Sequence, residues 1–196
     1  KIEPGCLGSA LRLTRNASQY LEVGSAPTFH HTNALSYGGW VKAEARNGAI
    51  LSKMDPAPKF RGFDLLLSAG KLEVHLVHSF PENALKVKTK DVLSTNIWHH
   101  VLVTYDGSLK AAGVKIYVDG SSRPTDTEHE TLSASIATDT PLLLGSRLGT
   151  SPFTGLLDEI RLFDRVLSTD EAKAMVEEVH LAWARIPADQ RTSEQS

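Results

Sequence analysis

Short runs in which apolar and polar residues alternate, each closed by Gly, Pro, Asn, Asp or Ser, recur along almost the whole chain, and few folds accommodate that pattern. The runs are "ALRLT", "QYLEV", "ALSYGGWVKA", "GAILSK", "GFDLLLSA", "KLEVHLV", "IWHHVLVTY", "GVKIYVDG", "PLLLG" and "TGLLDEIRLF". Alternation marks a strand with one buried face, so about ten strands are predicted. In "KLEVHLV", Leu72, Val74 and Leu76 share a face; in "GVKIYVDG", Val114, Ile116 and Val118 do so, with Lys115 and Tyr117 opposite. "SAGKL" at 68–72 reads as a tight hairpin turn and "DGSLKAAG" as a looser one, which makes successive strands antiparallel. The expected fold is all-β, a two-sheet antiparallel jelly-roll sandwich.

One segment departs from period two. Ser168 and Glu171 form a capping-box pair, Asp170 and Glu171 suit the positive end of a helix dipole, and Ala172, Met175, Val176, Val179, Ala182 and Trp183 recur at helical spacing before Pro187. This C-terminal amphipathic helix is expected to dock its apolar stripe on the domain's own sheet. With 196 residues and 41% hydrophobic content, the chain can bury roughly 70% of its unfolded surface around one core. One domain is therefore expected over 10–186, with a lead-in at 1–9 and a linker at 187–196. The start at Lys1, and Thr192 with Gln195 in a cap pattern that no helix follows, suggest a segment of a longer protein.

Charge removes whole classes of function. The 21 basic and 23 acidic side chains are spread without blocks, for a net charge of -2, so no nucleic-acid surface is expected. No apolar run approaches the roughly 20 residues of a membrane span. The single cysteine, Cys6, allows no intrachain disulfide.

Several motifs together resemble a known family. "ALRLTRNASQYLEV" resembles the opening strand pair of the laminin-G-like, concanavalin A-like lectin and glucanase jelly rolls, and "LSYGGWVKA" a strand that follows it there. "IWHHVLVTYDG" with "VKIYVDG" is similar to that family's Trp-His hairpin, and "FTGLLDEIRLFDRVLSTDEA" to its closing element. The resemblance covers about residues 10–180. The tail "RIPADQRTSEQ" further resembles a junction in large planctomycete multidomain proteins that also carry cytochrome-c-like segments. The resemblance implies that Asp158 in the closing element and Asn16 in the "TRNAS" loop lie near a structural calcium site that some members carry; the alternative for Asp158 is a hydrogen-bonded strand-end carboxylate. Calcium takes six to eight oxygens, and Asn16 is a weaker ligand than Asp would be. The family's setting implies a secreted, periplasmic or cell-surface location.

The Asp158-Glu159 pair is not expected to be catalytic, because strand neighbours point to opposite faces. By simple alternation Leu156, Asp158, Ile160 and Leu162 share one side. Glucanases of this architecture carry alternating carboxylates on one strand, since a retaining mechanism needs two about 5 Å apart. The nearest approach here is Asp126, Glu128 and Glu130 in "TDTEHET", which lacks apolar alternates and reads as a polar loop or edge. No enzyme activity is expected. His99 and His100 diverge as strand neighbours, and His100 matches a histidine expected to be structural.

The expected function is a non-catalytic recognition module for a glycan. The candidate ligand-binding residues are His75, Lys115, Tyr117 and Arg147, since sugar sites combine an aromatic platform with planar polar groups. Aromatics make up only 7%, and Trp40, Trp98 and Trp183 sit in patterns that read as structural. The alternative is a protein-interaction or interdomain spacer domain that packs on its neighbours.

Overall fold

The computed structural model describes residues 1–14, 19–24, 26–192 and 195. In chain order the first strands are β1 (Ile2–Pro4), β2 (Ser9–Leu13), β3 (Leu21–Val23), β4 (Leu35–Ala43), β5 (Gly48–Met54) and β6 (Gly62–Ser68). They are followed by β7 (Lys71–Ser79), β8 (Asn83–Thr89), β9 (His99–Tyr105), β10 (Val114–Val118), β11 (Ser121–Arg123) and β12 (Thr125–Glu130). Then come β13 (Leu142–Leu144), β14 (Gly155–Phe163) and the helix α1 (Thr169–Ala184). Two antiparallel sheets of seven strands result, ordered β1-β2-β14-β4-β9-β10-β11 and β12-β8-β7-β6-β5-β13-β3. The two-sheet sandwich read from alternation is the observed architecture. Four strands lay outside the ten runs: β1 in the expected lead-in, β8, β11 and β12, the last being the exposed edge formed by "TDTEHE".

The core lies between the sheets. Leu35, Tyr37, Val103, Tyr105 and Ile116 of the first sheet meet Ile50, Phe63, Leu65, Val74, Leu76 and Leu85 of the second, all at 2% exposure or less. Each such side chain contributes about 1.5–3 kcal/mol by leaving water. Alternation leaves the odd or even partners on the outer faces, and that is how a polar set comes to stand on the second sheet. The β6–β7 hairpin turns on Ala69 (φ 53°) and Gly70 (φ 83°), two left-handed residues that match the twist of the strands.

The outer face of the first sheet is covered by α1. Ser168 accepts from the Glu171 amide while the Glu171 carboxylate accepts from the Ser168 amide, so the capping box forms as expected. Ala172, Val176 and Val179 point down onto the sheet, against Leu102, Tyr117 and Leu167 at one end and Cys6 and Trp40 at the other.

Alternation along β14 does not run straight. Its register against β4 shifts between Asp158 and Arg161, where Glu159 takes φ 48°. Such a bulge flips every later side chain. Leu157, Ile160 and Leu162 therefore pack on the core. This corrects the expected grouping of Leu156, Asp158, Ile160 and Leu162.

Candidate functional site

The rungs of the second sheet build a polar row on its outer face. Register places Ser52 beside Asp64, Asp64 beside His75, His75 beside Lys86 and Lys86 beside His129. The next rung aligns Leu66, Glu73 and Lys88. Arg147 reaches over this row from a turn after β13, where Arg147 and Thr150 exchange two backbone hydrogen bonds of 2.9 Å.

Asp64 is the centre of the row, with no exposed side-chain surface. Its Oδ1 accepts from His75 Nδ1 at 2.8 Å, and its Oδ2 accepts from Arg147 Nη2. Burial alone pushes the Asp64 carboxyl up, but His75 and Arg147 outweigh it and hold the group below the ordinary aspartate value. Glu73 behaves alike: burial raises it, and Lys88 at 3.0 Å, His75 and Lys86 at 3.2 Å bring it below the usual range. Lys86 also reaches Glu128 at 2.8 Å. Both carboxylates are thus ionised and paired.

Two phenylalanines stand beside this network. Phe60, in the β5–β6 loop, lies under the Arg147 guanidinium at 5.8 Å, and Phe80, at the β7–β8 turn, meets the His75 ring edge-on at 6.0 Å. His129 packs on the other side of Phe80 at 5.1 Å. Between them is a groove of about 290 Å³, walled by Phe60, Phe80, Arg147, His75, Glu73 and Lys86. Its floor is apolar: Met54, Leu66 and Val77. An aromatic pair over an apolar floor, with guanidinium, imidazole, carboxylate and ammonium groups at the margins, can hold a ring that has apolar C–H faces and hydroxyl edges.

The four expected ligand residues separate into two pairs. His75 and Arg147 come together in the groove, 3.3 Å apart. Lys115 and Tyr117 lie on the other sheet. Lys115 is exposed at its outer face, but Tyr117 is only 2% exposed beneath α1, packed on Leu102, Leu167 and Ala172. Docking of the helix removes Tyr117 as a sugar platform. Asp64, Glu73, Lys86, Phe60 and Phe80 were not singled out from the sequence. Asp64 carried a signal, as the one charged residue inside the apolar run "GFDLLLS".

Asp158 has a different task. Its Oδ2 accepts from the Leu7 amide and its Oδ1 from the Glu159 amide, each at 2.9 Å, and it fixes the N-terminal segment and the bulge at once. A Cβ at Gly5 would stand 2.3 Å from Oδ2, so the carboxylate is enclosed by backbone. The partners the structure gives this carboxylate are thus backbone amides, one on each oxygen. Among the described residues no group of three or more His, Cys, Asp or Glu is placed to hold a metal ion. Asn16 lies outside the described residues.

The histidine pair at the start of β9 is structural in geometry. His99 Nδ1 donates to Asp119 at 2.7 Å, while His100 is buried edge-on against Trp40. Burial, with Arg161 adding to it and Asp119 opposing, lowers the His100 value from 6.5 to about 4. A histidine that stays neutral when folded but protonates when unfolded costs stability as the pH falls from 6.5 toward 4. Between pH 7 and 4.5 the expected loss is about 2.5 kcal/mol. Thermal unfolding across that interval should show it, and His100→Leu should flatten the slope while wild type keeps it.

A family model described as the concanavalin A-like lectin/glucanases superfamily matches residues 15–173. No curated protein matches the sequence. The binding domain of Paraclostridial mosquitocidal protein 1 superposes with a TM-score of 0.66 at 17% identity, over 92% of this chain and 46% of that one. This chain therefore spans about half the length of that binding domain. Domain 4 of AbnA, an extracellular arabinanase of Geobacillus stearothermophilus solved with arabinotriose, gives 0.62 at 20% identity, over 89% of this chain and 80% of that one. A sialidase carbohydrate-binding module of Ruminococcus gnavus, bound to α2,3-sialyllactose, gives 0.55 at 17%, over 82% and 99%. At these identities the likeness is one of fold.

Proposed function

The chain belongs to the concanavalin A-like lectin/glucanase superfamily, and from that premise we propose that it is a non-catalytic glycan-recognition module of a larger exported protein. The observation that carries this reading is the groove in which Phe60 and Phe80 flank the Arg147–Asp64–His75 and Glu73–Lys86 clusters. The neighbours solved with arabinotriose and sialyllactose support an oligosaccharide as the ligand class, and the extracellular arabinanase supports export.

The charges within the groove are paired with one another. Arg147 is engaged by Asp64, and Glu73 by Lys86 and Lys88. An anionic ligand would have to break these pairs, so neutral oligosaccharides are the expected partners, held by stacking and hydroxyl contacts. The same pairing speaks against catalysis. A glycosidase acid needs a raised carboxyl value, and Asp64 and Glu73 are both held low.

Glycan-array binding by the purified domain, with calcium and with chelator, tests the proposal. A coherent set of neutral glycans is expected, and Phe80→Ala should weaken binding about tenfold, as loss of a stacking anchor does. Lys115→Ala, on the other sheet, should leave it unchanged. Loss of binding in chelator would place a cation beside the site. A blank array from a domain shown to be folded would overturn the glycan reading in favour of a protein-interaction or spacer role.

A further inference from the structure

A second aromatic cavity lies on the opposite side of the sandwich, where α1 ends over the first sheet. The chain has three tryptophans, and all three line it: Trp40 on β4, Trp98 just before β9 and Trp183 in the last turn of α1. The Trp40 and Trp183 rings are 6.0 Å apart, and the His180 ring lies 5.4 Å from Trp183 and 6.2 Å from Trp40. Trp183 is fixed in place, because its Nε1 donates to the Cys6 carbonyl at 2.6 Å. Trp40 is 3% exposed and forms the base, whereas Trp98 and Trp183 are half-buried and His180 is exposed. The cavity holds about 510 Å³, larger than the groove on the second sheet, and Asp119 stands at its edge.

We propose that this cavity is a second carbohydrate site, one that takes a single neutral sugar ring with its apolar face on the indoles and its hydroxyls toward His180 and Asp119. Indole and imidazole faces beside exposed polar groups suit a ring that is apolar on one face and hydroxylated at its edge. A cationic ligand suits the cavity less well. Both Asp119 oxygens already accept, from His99 Nδ1 at 2.7 Å and from the His100 amide at 2.9 Å, and Arg123 adds opposing charge, so no unbalanced carboxylate draws an ammonium group. The site is independent of the groove, with which it shares no residue.

Intrinsic fluorescence isolates this site, because every tryptophan lines the cavity and none lines the groove. The probes are the methyl glycosides of glucose, galactose, arabinose and N-acetylglucosamine, titrated to millimolar concentrations into the whole domain. A saturable change in tryptophan emission with at least one of them is expected. The change should be lost in His180→Ala, whose exposed side chain the fold can spare, and kept in the Phe60→Ala/Phe80→Ala variant. Emission that responds to no glycoside, or only to an apolar dye such as anilinonaphthalene sulfonate, overturns the proposal. So does a response abolished by the groove variant and kept in His180→Ala. A positive array with silent tryptophans fails this site alone, and a blank array with responsive tryptophans fails the groove alone.

Discussion

Asp64→Ala is expected to cost about 3–5 kcal/mol in urea unfolding, the range measured when one partner of a buried ion pair is removed. The carboxylate is fully enclosed, and its loss takes the charged partner from the Arg147 guanidinium and the acceptor from His75 Nδ1. Size alone does not account for the effect, and Asp64→Asn, which keeps the volume, should still weaken the site by leaving Arg147 without its charged partner. Glu128→Ala is the contrast. Its side chain is 39% exposed where it meets Lys86, so its removal should cost no more than about 1 kcal/mol. Because Asp64 has no exposed surface, it cannot touch a ligand. It is a positioning residue, and both Asp64 variants should lose glycan affinity through a displaced Arg147.

Gly39→Ala is expected to destabilise the domain by about 3 kcal/mol, the upper end of what overpacking a tight interior costs. A Cβ there would stand 2.7 Å from the Glu159 carbonyl oxygen and 2.8 Å from that of Asp158, both backbone atoms of the β14 bulge. Neither can yield without moving the turn that carries Asp158 and its hold on Leu7. Gly38 beside it is approached from the other side, with a Cβ 2.0 Å from the Val101 carbonyl oxygen. The "YGGW" pair inside β4 therefore marks close approach of two neighbouring strands, and chemical denaturation of each alanine variant would measure it.

Much of this was legible in the sequence because alternation reports burial directly. Leu72, Val74 and Leu76 face the core and His75 faces outward, as their parity requires. The strand β8 carries the same signal in "ALKVKT", and its Lys86 and Lys88 were discernible as outward partners of β7 once that run is read as a strand. Other features depend on tertiary structure. The bulge at Glu159 reverses parity without any glycine or proline to announce it. Helical periodicity indicated that α1 would dock, yet only the assembled sandwich shows that it covers Tyr117 and leaves the second sheet's outer face open. Convergence of Trp40, Trp98 and Trp183 brings together residues far apart in the chain, each of which alone looks like ordinary core.

Whether a glycan sits in the groove on the second sheet can be read by chemical-shift mapping of the isotope-labelled domain with its best array glycan. Perturbed signals are expected from Phe60, Phe80, Arg147 and the β6, β7 and β8 amides around Asp64, His75 and Lys86, with the core-facing residues still. Perturbations confined to the loops at the sandwich rim, or spread over the exposed surface without saturation, would contradict a glycan seated in the groove.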